Sequence, residues 1–111
     1  MNIRDKLYDI KNVTVSRTLN IDDSLYTKIK NMTKKVYNAS ISEIANVAIE
    51  EYISRKNPTF YGKPANETVS YRNLMIRKNN IKELKEISSR TGISFTRLVN
   101  TALYEFIQSQ K

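Results

Sequence analysis

The chain repeats itself. Residues Asn38-Ala39-Ser40-Ile41-Ser42-Glu43-Ile44-Ala45-Asn46-Val47-Ala48-Ile49-Glu50-Glu51-Tyr52-Ile53 align without a gap on residues 92–107, at an offset of 54. Apolar positions fall on apolar ones, hydroxyls on hydroxyls, and Ala48 on Ala102. Upstream the offset becomes 55, so that Arg17 falls on Arg72, Leu19 on Leu74 and Ile21 on Ile76. A repeat of this length means two copies of one supersecondary unit, each too small to bury a core alone. The two copies must therefore share one core. At 111 residues there is room for one such domain.

Each copy reads as strand, helix, helix. Residues 13–21 alternate with period two and are rich in β-branched side chains, which predicts a strand. Val13, Val15, Arg17, Leu19 and Ile21 share one face. Thr14, Ser16, Thr18 and Asn20 share the other, which is wholly polar. Asp22-Asp23-Ser24 then offers acceptors and negative charge at a helix N-terminus. Leu25, Ile29, Met32 and Val36 predict a helix over about 23–36, which Asn38 can end in a left-handed conformation. Ser40 or Ser42 can cap a second helix, whose apolar stripe runs through Ile41, Ile44, Ala45, Ala48, Tyr52 and Ile53. In the second copy residues 70–76 are the strand, alternating less cleanly. Ile81, Leu84 and Ile87 mark its first helix and Gly92 the turn. Phe95, Leu98, Val99, Ala102, Leu103, Phe106 and Ile107 mark its second helix. The expected organisation is an N-terminal arm (1–12), unit 1 (13–56), a linker holding both prolines (57–68) and unit 2 (69–111).

Composition narrows what the domain can do. There are 19 basic and 11 acidic residues, a net charge of +8 shared by both copies, which favours a polyanionic partner. There is no cysteine and no histidine. Disulfides, thiolate chemistry, the commonest metal ligands and the usual proton shuttle are thus excluded, and no phosphate-binding loop is present. No enzyme, cofactor, metal or small-molecule substrate is expected. The N-terminus lacks the apolar run of a signal peptide and no stretch is long and apolar enough to span a bilayer. A cytoplasmic location without membrane partners is the expectation.

A lone strand leaves its backbone groups unpaired, so the two strands are expected to pair antiparallel about a two-fold axis, with four helices beneath. The expected fold is mainly α with one two-stranded β-ribbon. The ribbon's outer face would present Ser16, Thr18 and Asn20 from one strand and Tyr71, Asn73 and Met75 from the other. A two-stranded ribbon fits the major groove of B-DNA, where Asn, Ser, Thr and Met can each contact base edges.

The strand Ser16-Arg17-Thr18-Leu19-Asn20-Ile21, the helix start Asp22-Asp23-Ser24-Leu25 and the junctions Ala39–Ile44 and Gly92–Leu98 carry a resemblance. The chain resembles the ribbon–helix–helix (MetJ/Arc/CopG-type) family in a tandem form, with both units in one chain. The resemblance implies base contacts by Ser16, Thr18, Asn20, Tyr71, Asn73 and Met75. It also implies phosphate contacts at the second helices' N-termini by Ser40, Ser42, Ser94 and Thr96, a role that helix N-termini suit in any case. Arg17 and Arg72 depart from the pattern, standing at inward-register positions that are usually apolar in the family. They are assigned to phosphates from the ribbon's ends. The two strands differ, so two unlike half-sites are expected.

Such a protein is most simply a transcriptional repressor or autoregulator. A plasmid partition, copy-control or relaxosome accessory protein is the alternative, with self-association on adjacent DNA sites. An antitoxin-like protein-binding module is the reading of another class. Duplex RNA is disfavoured because its major groove is too deep and narrow for a ribbon. Lys28, Lys30, Lys34, Lys35, Lys82 and Lys85 read as solvated helix faces. Tyr26, Tyr37, Tyr52 and Tyr104 read as the edge of the core.

Overall fold

Period-two alternation carries two nine-residue strands, β1 (Thr14–Asp22) and β2 (Val69–Arg77), which pair antiparallel in a two-stranded sheet. The protein is described by a computed structural model covering residues 13–35, 39–55 and 59–110. The expected N-terminal arm, the stop at Asn38 and Tyr37 lie outside the described residues. Among the described residues there are four helices: α1 (Asp23–Thr33), α2 (Ile41–Ser54), α3 (Lys78–Thr91) and α4 (Phe95–Ser109). The order β-α-α-β-α-α is the expected one, and the architecture is a mixed one of sheet and helices.

The strand register carries the repeat into three dimensions. Thr18 faces Asn73, its own equivalent in the second copy, and every other pair is arranged symmetrically around them. Ser16 faces Met75 while Asn20 faces Tyr71; Arg17 faces Leu74 while Leu19 faces Arg72. The ladder continues past both strand ends. Asp23 N–H donates to Thr68 O and, at the matching place, Lys78 N–H donates to Val13 O, both at 2.9 Å.

The inward face buries Leu19, Ile21, Leu74 and Ile76 over the helices. Below them α2 packs against α4, and the small residues Ala45, Ala48 and Ala102 on these two helices are buried. Ile29, Ile49, Leu84, Leu98, Val99 and Leu103 fill the space between. Each such side chain contributes about 1.5–3 kcal/mol by leaving water. Of the tyrosines placed at the core's edge, Tyr52 is fully buried, its hydroxyl donating to Thr59 O. Tyr104 stacks on Tyr61 with centroids 4.0 Å apart. Tyr61 N–H also donates to Thr101 Oγ1, so the linker is fastened along α4.

The helix starts depart from expectation in one copy. Asp22 makes no side-chain cap at α1, and α1 ends at Thr33, not near 36. The Asp22-Asp23-Ser24 cluster instead anchors tertiary partners. Asp22 meets Arg97, Asp23 accepts from Thr68 Oγ1, and the Ser24 hydroxyl donates to Glu67. A cap competes with any stronger buried partner, and here the guanidinium of Arg97 wins. Elsewhere the signals held. Ser40 and Glu43 form a capping box on α2, and Ser94 caps α4. Gly92 ends α3 with φ +78°.

A Cβ at Gly92 would meet nothing within 4 Å, so substitution there isolates the backbone cost of the left-handed conformation. Gly92→Ala is expected to lower stability by about 1 kcal/mol without altering the core. Chemical denaturation should show a shifted midpoint with an unchanged slope.

Candidate functional site

The outward strand face is where sequence parity placed it. Ser16, Thr18, Asn73 and Met75 are exposed, Asn20 is half-buried, and Tyr71 at 74 % is the most exposed large side chain of the ribbon. Among the described residues no helix packs over this face. Thr14 and Arg77 extend the surface at one end. The six side chains sequence reasoning singled out there therefore share one surface. About the central Thr18–Asn73 pair they fall two and two but differ in chemistry: Asn20 and Tyr71 on one side, Ser16 and Met75 on the other. One polar contact links the two strands on this face. Ser16 Oγ donates to Asn73 Oδ1 at 2.6 Å, diagonally across the ribbon.

What holds the ribbon at this height is a pair of buried asparagines that pattern reasoning overlooked. Asn100 Nδ2 donates to Asn20 O at 3.0 Å, and Asn100 Oδ1 accepts from Asp22 N–H at 2.9 Å. Asn46 does the same to the other strand, donating to Met75 O at 2.9 Å and accepting from Arg77 N–H at 3.0 Å. Each second helix thus satisfies the open edge of one strand. Such an edge otherwise exposes a row of unpaired backbone groups. Asn46 and Asn100 coincide in the repeat and interrupt an apolar stripe, and that was the signal available. Ser42 adds a further bond of this kind, its Oγ accepting from Met75 N–H at 3.0 Å.

Arg17 and Arg72 do not stand at the ribbon's ends. Each lies one place from the central pair, on the inward side, with its guanidinium over a ring. Arg17 sits 4.8 Å from the Phe95 centroid and Arg72 sits 4.0 Å from that of Tyr26. Among the described residues the sheet has two strands, and each guanidinium reaches an aromatic residue of the helices beneath. Arg72 also lies 3.6 Å from Asp23. Hydrogen bonds from Thr68 and Ser70, with Arg72 nearby, hold the Asp23 carboxyl below its usual range. The phosphate contacts assigned to Arg17 and Arg72 require these guanidiniums to leave their rings.

The two second-helix N-termini are chemically unlike. At α2, Ser40 Oγ accepts from Glu43 N–H and Glu43 Oε1 accepts from Ser40 N–H, so a carboxylate closes that end. At α4 the third helical residue is Arg97. Ser94 Oγ accepts from its N–H, and its guanidinium reaches Asp22 at 2.8 Å. A cavity of 220 Å3 opens here, lined by Asn20, Lys63, Ser94, Thr96 and Arg97 among others. Of the four hydroxyls assigned to phosphate, Ser40, Ser42 and Ser94 already accept a backbone N–H, while Thr96 lines the cavity. Asp22, at the cavity wall, has its pKa raised by burial, against the pull of Arg97.

Among the described residues no group of three or more acidic, histidine or cysteine side chains is placed to hold a metal ion, and no helix is long and apolar enough to cross a membrane. No family model, curated protein or solved structure matches the chain.

Proposed function

We propose that this chain is a tandem ribbon–helix–helix protein that binds double-stranded DNA sequence-specifically, with its β-ribbon in the major groove, most simply as a transcriptional repressor. The observation that carries the reading is the register. Equivalent positions of the repeat face each other at Thr18 and Asn73, at the centre of a narrow, exposed ribbon face with two-fold character, polar on β1 and mixed on β2, where Tyr71 and Met75 are exposed. A ribbon of two strands matches the width of the major groove, and duplex DNA is itself two-fold. The net charge of +8 supplies attraction to phosphate. At the N-terminus of α4 the carboxylate of Asp22 is taken up by Arg97, which leaves Lys63 and Thr96 to receive a phosphate there, whereas at α2 the Glu43 carboxylate itself closes the helix end and opposes one.

The test is selection of binding sequences from a random pool of duplex DNA at near-physiological salt. Enrichment of a short motif with two unlike half-sites is the expected result. Affinity for it should fall steeply as salt rises, in proportion to the phosphates neutralised. Asn20→Ala should abolish preference at one base pair and spare the others, at a discrimination of about 1–3 kcal/mol. Uniform weakening on every sequence would remove direct readout, and the absence of binding would remove the proposal.

A further inference from the structure

We propose that Met75 reads the 5-methyl group of a pyrimidine, so that thymine or 5-methylcytosine is bound in preference to uracil or unmethylated cytosine. The inference rests on the reading of the ribbon as a major-groove element and deepens it. Between the ribbon's ends the outer face offers Ser16, Thr18 and Asn20 from β1 and Tyr71, Asn73 and Met75 from β2. Five of these six end in a hydroxyl or an amide. Met75 has neither, and its thioether is at most a weak acceptor. Its side chain is nonetheless 41 % exposed on that face.

The position is held from behind. Ser42 Oγ accepts from Met75 N–H at 3.0 Å and Asn46 Nδ2 donates to Met75 O at 2.9 Å, so both backbone groups are tied to α2. The repeat equivalent of Met75 is Asn20, whose carbonyl is tied in the same way by Asn100 at 3.0 Å. Side chains of opposite chemistry thus stand at matching places on the two sides of the central Thr18–Asn73 pair. An amide can pair with the donor and acceptor that adenine presents together. A thioether gains from the groove only by covering apolar surface, and the apolar group on a base edge there is the C5-methyl of thymine. A methylated cytosine carries the same group on the same ring carbon. Met75 lies about 7 Å along the strand from Asn73, which puts its base pair about two steps from the centre of the site.

The experiment uses the full chain and its Met75→Ser variant on the duplex that selection from random DNA returns. Each thymine of that duplex is replaced in turn by uracil, which removes one methyl group and keeps the base pairing. In the wild type one such replacement is expected to weaken binding about fourfold, the worth of covering one methyl group. Met75→Ser should bind the thymine and uracil duplexes equally at that position and keep the wild-type preference at the base pair read by Asn20. A cytosine placed there should be bound about fourfold more tightly by the wild type once it is 5-methylated, and no more tightly by the variant. Met75 is fastened through its backbone, so the variant should keep the wild-type unfolding midpoint. A wild type indifferent to every uracil would overturn the proposal, as would a uracil effect that Met75→Ser leaves unchanged at every position. The major-groove reading survives either of those results; it fails if selection enriches no sequence, and the role given to Met75 then falls with it.

Discussion

Asn100→Ala should cost the fold about 3 kcal/mol, although it removes no apolar packing and the residue is not itself exposed. Asn100 is fully buried and makes three hydrogen bonds. One goes to Thr96 O within its own helix, and two go to Asn20 O and Asp22 N–H at the edge of β1. Truncation leaves the two strand groups in the protein interior without partners, and each orphaned buried group costs about 1–3 kcal/mol. Alanine has the higher helix propensity, which returns a few tenths of a kcal/mol at most. Asn46→Ala should be at least as damaging. Asn46 serves Met75 O and Arg77 N–H on β2 and also accepts from Asn80 Nδ2 at 3.0 Å, so Asn80 loses a partner as well. Urea denaturation with fluorescence from the tyrosines would read both. A loss below about 1 kcal/mol in each would mean that water reaches the strand edges and that the asparagines are not what fastens the ribbon to the helices.

These two residues mark where sequence patterning stopped. The repeat, its offset and the parity of the strands were enough to place Ser16, Thr18, Asn73 and Met75 on one exposed surface and Leu19, Ile21, Leu74 and Ile76 beneath it. The reason is that strand parity and helical periodicity are local, and the core of this protein is built from both. Gly92 was legible for the same reason, since a left-handed helix end is a property of one residue. Asn46 and Asn100 act on backbone groups nearly 30 and 80 residues away, and nothing local announces such a partner. The acidic cluster at 22–24 misled because a cap is the local use of such residues. Arg97, contributed by α4, was the competing partner. Arg17 and Arg72 were read from their face alone. Phe95 and Tyr26, which hold them, come from helices whose position depends on how the two copies pack.

Removing Arg97 should destabilise the protein by about 3–5 kcal/mol at neutral pH, and the loss should shrink as the solution is acidified. Asp22 has no exposed surface. One carboxylate oxygen takes Arg97 Nη2 at 2.8 Å, and the other has no hydrogen-bond partner among the described residues. Burial raises its pKa and Arg97 opposes the rise. A folded-state pKa above the unfolded one means that the fold binds this proton more tightly than the unfolded chain does. Ionisation of Asp22 therefore counts against stability as pH climbs through that interval, and the Arg97 charge limits how much. In Arg97→Met the buried carboxylate keeps its desolvation cost and loses its counter-charge, so its folded-state pKa rises further. As the solution is acidified, Asp22 in the variant takes up its proton before it does in the wild type, and the missing guanidinium matters less. Asp23 moves the other way: its pKa is lowered in the fold, so its contribution is present above its unfolded value and is lost on acidification. That term is common to both proteins and cancels in their difference. The measurement is the gap in unfolding free energy between wild type and Arg97→Met at pH 7 and at about pH 4. A gap that narrows on acidification, together with recovery of most of the loss in Asp22→Asn/Arg97→Met, identifies the uncompensated carboxylate as the cause. A gap that is constant with pH would assign the loss to the packing of the arginine stem against Tyr61, whose ring lies 5.8 Å from the guanidinium carbon.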